Sequence, residues 1–236
     1  MSYLLFMVLA MVSAAIVARC WPHSMALLPA QRWFIGLAGF SAAILFAKLP
    51  FLVLRDDVLQ HAGTLLMGGK SILFGLVGGY AGVELAKKYL GVTTKTGDAF
   101  VVPVAVGMGV GRWGCFFAGC CYGVPTEMPW GIVFAAADSV ARHPIQIYES
   151  VFHLSLAGLL AWLRQAGKFP GQLIKVYFLS YFMFRWLTEF IRPGIAGEWG
   201  LTVYQWSILV FIPVFLLLWQ RDAQRFSQRA TQLDTH

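Results

Sequence analysis

Gly107-Met-Gly-Val-Gly-Arg-Trp-Gly-Cys-Phe-Phe-Ala-Gly-Cys-Cys-Tyr-Gly123 decides the fold. It is an apolar, glycine-rich run with one charge, Arg112, set inside it. An arginine in hydrocarbon costs about 2.5–3.5 kcal/mol even on the mildest insertion scale, so it needs a phosphate, a carboxylate or a water-filled cavity beside it. The run reads as a membrane helix near 99–118, with Arg112 as a functional-site candidate. An ion pair with Glu149 or Glu189 is the competing explanation. The glycines at 107, 109 and 111 suit either close helix packing or a headgroup reaching the backbone.

The rest of the chain agrees with a membrane setting. Of 236 residues, 58% are hydrophobic and 12% charged, where soluble domains carry about 25% charged residues. So little charge cannot cover a soluble surface. The expected fold is an all-α polytopic membrane bundle of about seven helices. Runs long enough to span lie near 3–19, 33–54, 66–86, 99–118, 148–163, 172–191 and 201–219. The third is diluted by glycines and Lys70.

The net charge of +7 might suggest nucleic acid, but the basic residues sit in loops between apolar runs. One set of alternating connections holds Arg19, Arg32, Lys87, Lys88, Lys95, Arg164, Lys168, Lys175, Arg221, Arg225 and Arg229; the other holds Arg55, Arg142 and Arg192. That bias places the N-terminus in the periplasm and the C-terminus in the cytoplasm. Met-Ser-Tyr lacks a basic leader and no small-residue cleavage site follows, so the first run is read as a retained helix. The expected organisation is one transmembrane domain over 1–220 with periplasmic loops at about 55–66 and 120–147. A polar, frayed cytoplasmic tail follows over 221–236.

The outer loops have distinct compositions. Leu54-Arg-Asp-Asp-Val-Leu-Gln-His61 suits a short interfacial helix. The longer loop contains Pro125, Pro129, Trp130 and Arg142-His-Pro144; it is either a rim over a cavity or a connector anchored by its tryptophan.

Arg185 and Glu189 lie four apart on one helical face and can pair. They either neutralise each other between helices or aim Arg185 at a phosphate with Glu189 orienting it. Arginine suits phosphate because its planar fork binds two oxygens and keeps its proton. Arg192, before Pro193, can snorkel to the interface. Cys115, Cys120 and Cys121 form C-x4-C-C without a second pair, which is poor metal spacing. No metal and no cofactor are therefore expected. Packing, a disulfide, and a thiolate favoured by Arg112 remain open for these three. Gly69-Lys-Ser71 lacks the P-loop glycine, since Thr64 stands in its place. Lys70 is assigned to the outer headgroups.

Several stretches together resemble the prolipoprotein diacylglyceryl transferase family of bacterial inner membranes. The family signature G-R-x-G-N-F, continuing to N-G-E-x-Y-G, reads here as Gly111-Arg-Trp-Gly-Cys-Phe-Phe-Ala-Gly-Cys-Cys-Tyr-Gly123. Pro125-Thr-Glu-Met-Pro-Trp-Gly131 matches P-T-x-x-P-W-G, and Arg142-His-Pro-Ile-Gln-Ile-Tyr-Glu149 matches R-H-P-x-Q-x-Y-E in full. Phe184 to Arg192 matches F-R-x-x-x-E-F-x-R, and Leu201-Thr-Val-Tyr-Gln205 resembles L-(S/T)-x-x-Q. The similarity covers most of the chain and is strongest from Gly68 to Gln205.

The resemblance implies a multi-pass protein of the bacterial inner membrane that moves a diacylglyceryl group from phosphatidylglycerol to a lipobox cysteine. A thioether forms on the preprolipoprotein and glycerol phosphate leaves. It implies phosphatidylglycerol or a related phospholipid, the preprolipoprotein lipobox peptide and membrane lipids as partners, with no nucleic acid and no cofactor. Arg112 and Arg185 become the phosphate-binding pair, and His143 and Glu149 the candidate bases. Arg142, Glu189, Arg192, Tyr122, Gly123, Lys70 and Gln146 become substrate-binding candidates, and Cys115, Cys120 and Cys121 a possible thiol site. The chain also departs from the pattern. In the family's G-G-x-S-x-H-G-G, Leu73 stands where a histidine important to activity belongs, and Lys70 is an added charge. Cys115 and Ala118 replace the signature's two asparagines, and Cys120 replaces its glutamate. A transferase with a rearranged base, a phospholipid-using enzyme with another acceptor or a covalent cysteine, and an inactive lipid-binding scaffold all remain open.

Overall fold

Helices occupy the described part of each of the seven apolar runs in the computed structural model, which describes residues 2–20, 27–53, 71–135, 137–194 and 199–234. These are α1 (Ser2–Cys20), α2 (Pro29–Ala47), the one-turn α3 (Leu49–Val53), α4 (Ile72–Tyr89), α5 (Gly97–Phe117), α6 (Ile145–Gln165), α7 (Leu173–Glu189) and α8 (Val203–Asp234). Between α5 and α6, β1 (Ile132–Val133) pairs antiparallel with β2 (Ala141–Arg142), Ile132 opposite Arg142. The chain is a polytopic membrane protein built of helices.

Among the described residues, four segments can cross a membrane by length and composition alone: Tyr3–Cys20, Pro29–Phe51, Gly97–Phe117 and Val203–Gln224. The other three long helices are diluted by polar residues, several of them buried. Glu149 and His153 lie on α6, Lys175, Arg185 and Glu189 on α7, and Lys87 on α4. The stretch 54–61 and Lys70 fall outside the described residues. Ser71 caps α4, its Oγ accepting from the Phe74 N–H at 3.4 Å. Gly69-Lys-Ser71 thus ends at a helix start.

Two compact units divide the chain, Ser24–Thr94 and the remainder. In the first, α2 packs on α4 through small residues. A Cβ on Gly82 would sit 2.5 Å from the Ala42 Cβ and 2.8 Å from the Ala38 carbonyl oxygen. Only glycine lets the backbones approach so closely, the usual device where lipid offers no hydrophobic drive for helix association. Leu73 is buried within this unit.

The second unit holds α1 and α5 to α8. At the α5 N-terminal end, Asp98 caps α7 from a distant stretch of chain. Its carboxylate accepts from the Gly171 N–H at 2.5 Å and the Leu173 N–H at 3.0 Å. Nearby, the buried Lys175 donates to Gln172 and to Asp222, both at 2.6 Å, and Lys95 pairs with Asp222 at 2.5 Å. Asp222 belongs to α8, whose backbone stays helical into the polar tail as far as Asp234. Further along the bundle, Phe178 and Phe182 of α7 pack against Phe211 and Phe215 of α8. Phe152 of α6 stacks on Phe184 of α7 with ring centroids 4.1 Å apart.

Candidate active site

Arg112 lies fourteen residues beyond Asp98 on α5, about 21 Å along the helix at 1.5 Å per residue. The glycines around it are faces for neighbouring helices. A Cβ on Gly114 would stand 3.1 Å from the Phe6 Cβ of α1, and one on Gly109 would stand 2.7 Å from Leu154 Cγ of α6. Ser150 of α6 donates its hydroxyl to the Gly109 carbonyl at 2.8 Å. This tight α5–α6 contact brings the Arg112 guanidinium onto Glu149, which is fully buried. Arg192, just past the end of α7, reaches the other oxygen of the same carboxylate. Arg192 thus turns inward instead of snorkelling, because a buried carboxylate with two exposed lone-pair faces gains from a second charged donor.

A second pair stands beside the first. Arg185 Nη2 lies 2.7 Å from Glu189 Oε2, as their four-residue spacing predicts. Glu189 also accepts from the Thr202 hydroxyl at 2.9 Å. Thr202 and Gln205 form a reciprocal capping box at the start of α8. Gln205 Oε1 accepts from the Thr202 N–H at 2.9 Å, and the Thr202 hydroxyl accepts from the Gln205 N–H at 3.3 Å. The cap carries Tyr204, whose ring centroid lies 4.9 Å from the Arg185 guanidinium. The L-(S/T)-x-x-Q resemblance therefore has a structural content: it ends a loop, grips Glu189 and lays an aromatic face on Arg185. Thr202→Val removes both the cap and a donor to Glu189. It should lower stability by about 0.5–2 kcal/mol in thermal unfolding in detergent, while Thr202→Ser should hold it.

Three guanidiniums meet two carboxylates in this layer, and Arg185 lies within electrostatic reach of Glu149 as well. The surplus is one positive charge. Three buried donors, Arg185 Nη1, Arg192 Nε and Gln205 Nε2, have no acceptor among the described residues. An unsatisfied buried donor costs about 1–3 kcal/mol, and more when charged. An anion placed here would supply both the missing charge and the missing acceptors. Close by, His153 lies one turn from Glu149 on α6, its Nδ1 3.2 Å from the Tyr177 hydroxyl.

At its C-terminal end α5 turns sharply. Gly119 takes a φ of 63°, its N–H bonds Phe116, and the Cys120 N–H bonds the Cys115 carbonyl. This is a Schellman ending, and it folds Cys120 back beside Cys115. Cys121 also takes a left-handed φ, 64°, a conformation costing a non-glycine residue on the order of 1–3 kcal/mol and often kept at functional sites. All four cysteines are free thiols. The Cys121 and Cys120 sulfurs are 3.8 Å apart, and Arg112 Nη1 lies 3.7 Å from the Cys115 sulfur. C-x4-C-C is poor metal spacing along the chain, yet this turn brings all three sulfurs within 4.8 Å of one another. Gln146, at the start of α6, fixes the turn by donating to the Cys120 carbonyl at 2.5 Å.

The long loop between α5 and α6 is a folded connector with a hairpin. Gly123 donates to the His143 carbonyl at 2.8 Å, His143 to Val124 at 3.2 Å, and Val124 to Ile191 at 3.0 Å. The loop is thereby latched to the end of α7. A Cβ at Gly123 would come within 2.7 Å of both His143 Cβ and the Ile191 carbonyl. Arg142 donates to the Gly123 carbonyl at 3.3 Å, stacks over Tyr122 at 5.2 Å and pairs with Asp138 at 2.5 Å. Hydrogen bonds from Arg142 and the Val140 N–H pull the Asp138 carboxyl below its usual range. His143 Nδ1 lies 3.2 Å from the Tyr148 hydroxyl, which also accepts from Trp130 at 2.8 Å.

The structure thus gathers Arg112, Arg185, Glu149, Glu189 and Arg192 into one layer, with the Cys115 thiol against Arg112 and those of Cys120 and Cys121 beside it. Arg142, His143, Tyr122 and Gly123 sit in the latched loop, and Lys70 lies outside the described residues. His153 has no place among the sequence candidates, and Thr202, Tyr204 and Gln205 enter there only through the L-(S/T)-x-x-Q resemblance, without a role. A four-residue step from Glu149 points to His153, and the T-x-x-Q spacing before an apolar run announces a capping box.

A family model described as prolipoprotein diacylglyceryl transferase matches residues 1–221. The chain is 32% identical over 192 residues to a phosphatidylglycerol–prolipoprotein diacylglyceryl transferase of Clostridium tetani, covering 78% of this chain and 76% of that one. It is 36% identical over 194 residues to the protein of that name from Methylobacillus flagellatus, covering 76% and 74%. It is 36% identical over 205 residues to that of Nitrosomonas europaea, covering 79% and 71%. With the match running through every helix of the site, the chain belongs to the prolipoprotein diacylglyceryl transferase family.

Proposed function

We propose that this protein transfers the diacylglyceryl group of phosphatidylglycerol to the lipobox cysteine of a preprolipoprotein in the bacterial inner membrane. The observation that carries this is the buried Arg185 donor without an acceptor, in a layer where arginines outnumber carboxylates by three to two. A phosphodiester supplies one negative charge and the acceptor oxygens such a layer lacks. Arg112 and Arg185 hold the phosphate and stabilise it as it leaves with its electron pair. Glu189, gripped by Thr202, orients Arg185; Glu149 anchors Arg112 and Arg192. Gln146 and Gly123 shape the mouth of the site, and Arg142, Tyr122 and Lys70 serve the substrates at the outer face. His143 and Glu149 are the family-aligned candidates for the base that takes the thiol proton.

Expression in a cell depleted of its own transferase tests this. Restored growth with lipid-modified lipoprotein is the expected result. A well-expressed protein that restores neither points to another acceptor or to a scaffold role. The orientation has its own test. A reporter fused after Asp222 should read as cytoplasmic and one inserted near Asp138 as periplasmic; both on one side would overturn the topology.

A further inference from the structure

The proposed transfer needs a thiolate, yet its usual suppliers are compromised. Leu73 stands at the family's histidine, Glu149 is held by two guanidiniums, and His143 is engaged with Tyr148 in the loop. The thiol cluster against Arg112 offers a different route to a thiolate. Three sulfurs bound tetrahedrally at about 2.3 Å from a zinc ion lie about 3.8 Å apart, so closing the widest gap takes a shift of about an ångström. Cys120 and Cys121 already stand at 3.8 Å, and all three sulfurs fall within 4.8 Å. Neighbouring side chains on an extended backbone point to opposite faces; the left-handed Cys121 brings its thiol to the side of Cys120. Thiolate sets favour soft ions, and four sulfurs in a tetrahedron suit zinc or iron; zinc brings no redox chemistry, which the transfer does not need. Three protein ligands leave one position open, as in catalytic zinc sites.

We infer that Cys115, Cys120 and Cys121 hold a zinc ion whose fourth position takes the acceptor cysteine as a thiolate beside Arg112. The metal site stands on the thiol geometry, and its link to the acceptor rests on the transferase reading. On coordination the acceptor S–H bond breaks and its proton passes to water. A sulfur electron pair then forms the C–S bond to the glyceryl carbon. The C–O bond to phosphate breaks with its pair on the phosphate oxygen, and glycerol phosphate leaves from Arg112 and Arg185. The thioether product, a weaker ligand than a thiolate, departs and frees the position.

Metal analysis of the purified full-length chain, stripped and then equilibrated with zinc chloride, tests the site. One zinc per chain is expected. Cys121→Ser should weaken binding by more than about a hundredfold, since losing a ligand exceeds the 10–100-fold cost of losing an outer partner. With cobalt(II) in place of zinc, a lipobox peptide carrying cysteine should add sulfur-to-metal absorption, and its serine counterpart should not. That spectrum is read without turnover, so failed lipid transfer with an intact cobalt response would count against the transferase assignment and leave the metal site standing. Absence of stoichiometric zinc, unchanged binding in Cys121→Ser, or a spectrum blind to the cysteine peptide overturns the inference. If the serine variant does not fold, the wild type serves. Zinc should shield Cys120 and Cys121 from iodoacetamide while the exposed Cys20 still reacts; equal labelling with and without zinc is the contrary result.

Discussion

Arg112→Ala should lower lipid transfer by about 10²–10³-fold, the loss that follows removal of one preorganised donor to a developing anion. The protein should nevertheless fold. Glu149 keeps Arg192 after the substitution, so the buried carboxylate is not left alone. Activity and stability are therefore expected to separate in this variant. Arg112→Lys should recover little of the activity. A lysine presents a point charge without the planar fork that faces Glu149 on one side and Cys115 on the other. Turnover assays on detergent-purified protein, matched by thermal unfolding, measure both quantities. Transfer within a few-fold of the unsubstituted protein in Arg112→Ala would remove the phosphate-binding role.

Glu149→Ala should do the reverse and act first on stability. It strands Arg112 and Arg192 in a buried layer with no carboxylate between them. Removing one partner of a buried ion pair costs about 3–5 kcal/mol, and total stabilities run to about 5–15 kcal/mol. The variant should melt far below the parent or fail to accumulate. Glu149→Gln keeps the shape and loses the charge, so it should fall in the same direction. Unchanged thermal unfolding in Glu149→Ala would show that the two arginines find other partners and that Glu149 does not organise the site.

The helices were legible because crossing hydrocarbon demands about twenty apolar residues, and few other structures impose that length. The α4 start moved because glycines and Lys70 blurred the run where Ser71 provides the cap. The Arg185–Glu189 pair was legible because both residues share one helical face. The Arg192–Glu149 pair was not, since it joins residues 43 apart on different elements and depends on how α6 and α7 pack. The thiol cluster was hidden for a related reason. C-x4-C-C looks scattered as a string, yet a helix ending in a Schellman turn returns its sixth residue to its first. Gly107 and Gly109 were ambiguous in sequence; in the structure they meet Ala14 of α1 and Leu154 of α6.

The most direct measurement places the purified protein in phosphatidylglycerol vesicles with a lipobox peptide and follows both products. The expected result is a peptide heavier by one diacylglyceryl group through a thioether, with glycerol phosphate released in equal amount. Both products should be lost in Arg112→Ala and Arg185→Ala. An unmodified peptide, or glycerol phosphate released without thioether, from well-folded protein would contradict it.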